Sequence, residues 1–275
     1  MPELPEAETI VRDLRSTVTG RKVTGVEVAR SDVLAPGLRP DTLAKAIRGR
    51  RIENVDRRGK NVVLRFDDER RLVVNLGMTG RLVFAETPDA AGLRHVAVRL
   101  DLDRGGALFY DDIRRFGRLT LCTPEAWQRF DHELGIEPLS REFTAERLHE
   151  LTRGSRTPIR NWLLDQRRIA GIGNIYANEA LFRARIHPAR PANSLDPDET
   201  ARLHDGIRSV LKDAIEKRGT TVSDYRDGKG ETGGFEPYLQ AYGREGKPCP
   251  RCGTPIERVS ISNRSAFFCP HCQRM

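Results

Sequence analysis

No apolar run among the 275 residues is long enough to span a bilayer, so no membrane-spanning helix is expected. The first residues lack the basic stretch and apolar core of a secretory signal, and a reducing cytoplasm is the expected compartment. Cysteine is scarce, five in all, which argues against a disulfide framework. No segment repeats another and no pattern signals self-association, so a monomer is expected. The composition left over is that of an ordinary globular chain, 38% hydrophobic and 31% charged. It is long enough for two or three domains, each with its own core.

Charge is where the chain stands out. Its formal net charge is +8, from 47 basic and 39 acidic side chains. Residues 153–190 hold eight arginines against Asp165 and Glu179, and residues 244–275 hold six basic side chains against Glu245 and Glu257. Together these stretches exceed the surplus of the whole chain, so the remainder is slightly acidic. Focused positive charge points to a polyanion, with nucleic acid ahead of an acidic protein or a membrane surface. A solvated charged face is the plain alternative.

The cysteines are ordered. Cys249 and Cys252 form one Cys-x-x-Cys pair, Cys269 and Cys272 another, with sixteen residues between the pairs. Each pair can take two adjacent corners of a tetrahedron, the spacing of a zinc ribbon. Two separate redox motifs are the alternative, and such motifs rarely come in twos at this distance. Four thiolates close the coordination sphere, so the single Zn2+ would be structural. His271, inside the last pair, is a weaker candidate ligand. Cys122, in Leu119-Thr-Leu-Cys122, is left over as a strand thiol expected in a core.

Along the chain, Ala7, Ile10, Val11, Leu14 and Val18 recur at helical spacing behind Pro5, which suits the first helical position. The period then changes to two at Val26 and Val28, at Val62, Leu64 and Phe66, and from Val96 to Leu102 ahead of the turn Asp103-Arg-Gly-Gly106. A β-rich domain, a sandwich behind one N-terminal helix, is expected over residues 1–130. Leu134-Gly-Ile-Glu-Pro-Leu139 reads as a hinge. A helical domain follows over 131–222, ending in an amphipathic helix opened by Asp196-Pro197 and closed by Gly219 just past its last turn. Residues 223–242 form a glycine-rich loop and connector, and 243–275 the metal-binding finger. The fold class is α+β multidomain.

Three further features carry chemistry. Removal of Met1, which a small second residue normally permits, exposes the secondary amine of Pro2. An α-amino group titrates near pH 8, so part of it is nucleophilic at neutral pH. Glu3 lies ahead of the helix, where it can act as a general acid. An ordinary proline start with helix-capping acids is the bland reading of the same residues. Gly171-Ile-Gly-Asn-Ile-Tyr176 places glycines before a helix, where backbone N–H groups can approach a phosphate. Met78 and Phe116 sit in glycine-punctuated turns, where bulky side chains can be held out to wedge into a base stack.

Taken in order, Pro2-Glu-Leu-Pro-Glu6, Arg57-Arg-Gly-Lys60, Leu76-Gly-Met-Thr-Gly80, Arg114-Arg-Phe-Gly117, Gly171–Tyr176 and the ribbon resemble the bacterial formamidopyrimidine-DNA glycosylases. The resemblance runs from Pro2 to Cys272. It implies a β-sandwich joined to a helix–two-turn–helix domain and a zinc ribbon. It further implies excision of oxidised purines from damaged double-stranded DNA, with cleavage of the abasic strand, in a cytoplasmic, nucleoid-associated enzyme. On matching positions, Pro2 would be the Schiff-base nucleophile, Glu3 the proton donor and Glu6 a supporting carboxylate, with Lys60 assisting. Met78, Arg114 and Phe116 would fill the gap left by the flipped base, with Arg114 facing the orphaned partner. Asn174 and Arg264 would hold phosphates, Arg264 being linked to δ-elimination. His95, Arg160 and Tyr242 would be further DNA contacts.

Asn75, Leu93, Ser155 and Ala266 depart from the family pattern, which favours His, His, Lys and Thr there. An endonuclease VIII-like enzyme for oxidised pyrimidines is the nearest alternative. Leu4 and the set Met78, Arg114 and Phe116 argue against it. A non-catalytic binder of damaged DNA is the alternative from another class.

Overall fold

A computed structural model describes residues 2–221 and 231–275. Residues 222–230, which include the first part of the glycine-rich loop read from the sequence, lie outside the described residues. The chain packs as two compact units, one of Met1–Glu133 with Lys217–Gly234, the other of Leu134–Glu216 with Phe235–Met275. The sequence reading divides it into four parts. By packing, the ribbon shares a unit with the helices, and the stretch after the long amphipathic helix joins the N-terminal unit.

The first unit opens with α1 (Leu4–Val18) and continues through β1 (Val23–Val28), α2 (Pro40–Ile47), β2 (Ile52–Arg58), β3 (Asn61–Phe66), β4 (Arg71–Asn75) and β5 (Arg81–Ala85). Next come β6 (Val96–Leu102), β7 (Ala107–Asp111), β8 (Arg118–Cys122) and α3 (Pro124–Glu133). The strands form two four-stranded antiparallel sheets, in the orders β1-β6-β7-β5 and β2-β3-β4-β8. The alternation seen in the sequence explains them. Val62, Leu64 and Phe66 from one sheet and Val98, Leu100 and Leu108 from the other enter one apolar cluster, which Ile10, Val11, Leu14 and Val18 of α1 complete. Each such buried side chain stabilises the fold by about 1.5–3 kcal/mol relative to exposure. Cys122 is buried on the opposite face of its sheet with Val63 and Val73.

Helix α1 is buried on more than its apolar stripe. Glu6, Thr9 and Asp13, spaced three and four apart, are buried as well. Asp13 pairs with Arg218 at 2.7 Å, which ties the segment after the long helix to α1. The expected single N-terminal helix has a companion in α2, whose eight residues anchor by Leu43 and Ile47.

The second unit contains α4 (Ala145–Arg153), α5 (Ile159–Leu164), α6 (Asn174–Ala184), α7 (Pro197–Glu216) and the hairpin β9 (Glu257–Ile261)–β10 (Arg264–Phe268). Leu203, Ile207, Val210, Leu211 and Ala214 bury the apolar face of α7. A Cβ on Gly206 would stand 2.8 Å from the Ala180 carbonyl oxygen, so glycine sets the close approach of α7 to α6. The sequence expectation for the end of α7 needs correction. The helix stops at Glu216, and the left-handed backbone is taken by Arg218 as well as Gly219, with φ of 62° and 82°. Gly219 is not a simple helix stop. A Cβ there would lie 2.7 Å from a Glu6 carboxylate oxygen, so glycine leaves room for that side chain.

Candidate active site and DNA interface

In the first unit, Pro2 and Glu3 lead directly into α1 and both are buried. Glu3 occupies the N-cap in extended conformation. Glu6, only 1% exposed, uses its two carboxylate oxygens on two backbone amides. One oxygen accepts from Glu3 N at 2.8 Å and the other from Thr220 N at 2.7 Å. A buried carboxylate is tolerated there because both oxygens are satisfied and the positive end of α1 lies beside it. Its effect is to fix the main chain that carries Pro2 and Glu3 against residues 219–221.

Lys60 sits in the two-residue turn between β2 and β3. Gly59, the first turn residue, has φ of 58°, as a type II′ turn demands. The turn is braced across the sheet. Asn61 Nδ2 donates to the Arg58 carbonyl at 3.0 Å, Asn75 Nδ2 donates to Asn61 Oδ1 at 2.8 Å, and Asn75 Oδ1 accepts from Gly77 N at 3.0 Å. Asn61 and Asn75 are cross-strand partners. The departure at Asn75 therefore forms an amide pair that ties the Lys60 turn to the turn bearing Met78.

Met78 and Phe116 are 39% and 58% exposed, unusual for side chains of this kind, and Arg114, on the same turn as Phe116, is exposed too. The Arg114 guanidinium stacks over the Phe116 ring at 4.6 Å. The glycines behind them are demanded by contact. A Cβ on Gly77 would stand 2.5 Å from Gly117 N, so the two turns meet backbone to backbone. His95 is exposed, its amide held by Asp111 at 2.5 Å. With Arg30, Arg94 and Arg115 it lines a basic cleft of about 330 Å3. Leu93 is a core residue, packed with Val83, Ala107 and Phe109.

In the second unit the glycine-rich segment delivers Asn174 at the first position of α6, with Gly173 as N-cap. Arg160, expected from the sequence as a contact with the DNA backbone, is fully buried. Its guanidinium bonds the Asn174 carboxamide oxygen and donates to the Ser265 carbonyl at 3.0 Å and the Ile261 carbonyl at 3.4 Å. Asn174 itself donates to the Ser265 carbonyl at 3.3 Å. Asn178 adds a third tie, accepting from Phe267 N at 2.7 Å. The start of α6 and the β9–β10 hairpin are thereby one hydrogen-bonded assembly. Ser262 and Asn263 turn the hairpin with φ of 48° and 60°, which leaves Arg264 exposed at its tip.

The four ligand cysteines converge, with all their sulfur atoms within 4.8 Å of one another. Tetrahedral zinc with Zn–S bonds of about 2.3 Å places sulfurs about 3.8 Å apart, so the set fits that metal. Burial, then the neighbouring thiols, push Cys272 up to about 12. Four thiolates at that spacing call for a cation, which zinc supplies. Backbone amides of Arg251 and Cys272 point at Cys249 Sγ and Cys269 Sγ, at 3.5 and 3.4 Å. The ribbon is also anchored to the end of α6. Arg251 donates to the Phe182 and Arg183 carbonyls at 2.7 and 3.2 Å, where the helix dipole favours a cation. Ala266, within β10, is fully buried.

Three groups escaped the sequence reading. Glu179, fully buried in α6, accepts from the amides of Gln240, Ala241 and Tyr242 at 2.9, 2.8 and 2.8 Å, and so places Tyr242. Burial pushes its carboxyl above the usual range. Asp112 and the Asn61–Asn75 pair are the others. Paired acids closing an apolar strand, as at Asp111-Asp112, were the available signal.

Known proteins match these parts one by one. Residues 1–119 match the formamidopyrimidine-DNA glycosylase N-terminal domain, residues 134–226 the H2TH domain of the same enzymes, and residues 246–274 the zinc finger found in FPG and IleRS. The class is that of zinc-ribbon DNA glycosylases. A formamidopyrimidine-DNA glycosylase of Chloroflexus aurantiacus is 46% identical over 99% of this chain and 98% of its own. The Lactococcus lactis Fpg, solved with DNA containing an abasic site, superposes with a TM-score of 0.91 at 34% identity, covering 99% of this chain and 100% of that one. A MutM solved with DNA containing carbocyclic 8-oxo-G gives 0.90 at 34% identity, covering 100% of both chains. The chain belongs to the formamidopyrimidine-DNA glycosylase family.

Proposed function

We propose that this protein excises oxidised purines, formamidopyrimidines and 8-oxoguanine, from duplex DNA and then cleaves the strand at the abasic site it has made. The observation that carries this reading is the N-terminus, where Pro2 and Glu3 are fixed by the two hydrogen bonds of Glu6. The Pro2 amine attacks C1′ as the bond to the base breaks. Glu3 gives a proton to the ring oxygen, the sugar opens, and an iminium forms. That iminium acidifies the C2′ position, so the 3′ and then the 5′ phosphate leave by β- and δ-elimination. Lys60 assists at the first unit, while Asn174, Tyr242 and Arg264 supply phosphate contacts from the second. His95 adds one from the basic cleft. Met78, Arg114 and Phe116 replace the extruded nucleotide. Among the described residues no helix is long and apolar enough to cross a membrane. A DNA substrate and a thiolate ribbon fit the cytoplasm, at the nucleoid.

Borohydride trapping tests the proposal on three duplexes, one with 8-oxoguanine opposite cytosine, one with an abasic site and one undamaged. A crosslink to the lesion duplex that Pro2→Gly abolishes, with DNA binding retained, is the expected result. Trapping at the abasic site alone would shift the substrate toward other lesions, and no trapping anywhere would leave a DNA-binding protein.

A further inference from the structure

One buried carboxylate has no part in that chemistry. Asp112 follows β7 directly and is 1% exposed. Its Oδ1 accepts from Thr79 Oγ1 at 2.5 Å and from Arg114 N at 3.2 Å. Its Oδ2 accepts from Gly117 N at 2.9 Å and from Tyr110 Oη at 3.0 Å. Thr79 Oγ1 also accepts from Arg114 N at 3.1 Å, closing a small ring. Among the described residues no cation is ion-paired with Asp112. A buried anion held only by neutral donors is costly to desolvate, and four hydrogen bonds offset that cost.

The donors are not scattered. Thr79 adjoins Met78 on one turn, while Arg114 and Gly117 bracket Phe116 on the other. The two turns already meet backbone to backbone at Gly77 and Gly117. A single carboxylate thus sets both the position of each turn and the distance between them, while the side chains at the tips stay exposed. Burial first, and the Asp112 charge next, push the Tyr110 phenol above its ordinary range, so it remains a donor throughout the working pH range. Beside it, the Asp112 amide donates to the His95 carbonyl at 3.2 Å.

We infer that Asp112 is a positioning residue for base extrusion: by fixing Met78 on one turn against Arg114 and Phe116 on the other, it sets the preference for the base opposite the lesion. The inference rests on the roles proposed above for those three side chains. A gap in a base stack has one height. Tips that wander relative to each other fill it poorly and read the orphaned base less selectively.

The test uses Asp112→Asn, Thr79→Val and Thr79→Ser in the full zinc-loaded chain beside the wild type. Single-turnover excision of 8-oxoguanine is measured opposite cytosine and opposite adenine, and strand cleavage at a preformed abasic site is measured separately. Asparagine offers one acceptor oxygen, so its amino group faces either Thr79 and Arg114 N or Tyr110 and Gly117 N, and in either orientation one main-chain amide of the Phe116 turn loses its bond to residue 112. Asp112→Asn and Thr79→Val are expected to slow excision opposite cytosine about tenfold or more, the scale of losing hydrogen bonds to a charged acceptor, with abasic-site cleavage falling less than roughly threefold. The cytosine-to-adenine ratio then falls toward one, and Thr79→Ser, which keeps the hydroxyl, retains it. Equal losses in all three assays at an unchanged ratio overturn the inference, as does Thr79→Ser behaving like Thr79→Val. If Asp112→Asn shows no cooperative melt, the Thr79 pair decides alone. A wild type that excises without regard to the opposite base also overturns it while sparing the proposed function. A wild type that does not excise removes both.

Discussion

Replacing Glu6 by glutamine keeps shape and volume and changes one oxygen into an amino group. In the native protein both oxygens accept from buried main-chain amides, Glu3 N and Thr220 N, at 2.8 and 2.7 Å. Glutamine can serve only one of them. A hydrogen bond to a charged acceptor contributes about 1.5–3 kcal/mol, and a buried N–H left facing a second donor costs about 1–3 kcal/mol more. The expected loss is therefore about 2.5–6 kcal/mol, a large part of the roughly 5–15 kcal/mol that typical domains have. Catalysis should suffer separately, because a nucleophile misplaced by about 1 Å loses about a hundredfold in rate. Urea unfolding measures the first effect. Borohydride trapping on an abasic duplex, run at low temperature where circular dichroism shows the variant folded, measures the second. A Glu6→Gln protein that unfolds at the wild-type midpoint and traps at the wild-type rate would refute the assignment of Glu6 as the brace of the N-terminus.

Arg264→Ala and Arg160→Met should part company. Losing one phosphate contact at Arg264 lowers the slope of log affinity against log salt by about 0.9. Replacing fully buried Arg160 should leave that slope alone and instead destabilise the second unit, at about 1–3 kcal/mol for each neutral oxygen of Asn174, Ile261 or Ser265 left without a donor. A slope change for Arg160→Met with unaltered stability would reverse their roles. Cys252→Ser, or removal of zinc by a chelator, should unfold the ribbon and abolish DNA binding, since the hairpin bearing Arg264 depends on it. Metal analysis and a binding titration check this, and full affinity in the metal-free protein would contradict it.

The parts legible in the sequence were those governed by local rules. Two Cys-x-x-Cys pairs announce their tetrahedron, and strands half buried in a sandwich write their alternation at Val62–Phe66 and Val96–Leu102. Helix α2 was missed because only Leu43 and Ile47 anchor its eight residues, too few to establish a period. The charge reading was harder to convert into a surface. Arginines at 153–190 counted as free positive charge are partly spent inside the second unit. Arg183 pairs with Asp213 at 2.6 Å, Arg190 with Glu199, and Arg160 turns inward. Those partners lie far along the chain for Arg183 and Arg160, and no local pattern announces them. Asp112 is similar in part, since Thr79 lies 33 residues away while its other three donors are within five. The order of motifs carried the family, yet the braces beneath them had to be seen.

Gly77 and Gly117 set a limit on how this protein can change. A Cβ on Gly77 would fall 2.5 Å from the neighbouring backbone, and one on Gly117 would fall 1.7 Å from the Tyr110 hydroxyl oxygen. Neither position accepts any side chain, whereas Met78, Ile113, Arg114 and Phe116 are exposed, with Arg114 and Phe116 stacked on each other. Mutational drift is thus closed at the base of the two turns and open at their tips. On the roles proposed for Met78, Arg114 and Phe116, a new opposite-base preference is reached by exchanging tip residues on an unaltered platform. Libraries built to redirect the enzyme belong at 78, 113, 114 and 116, with both glycines left untouched.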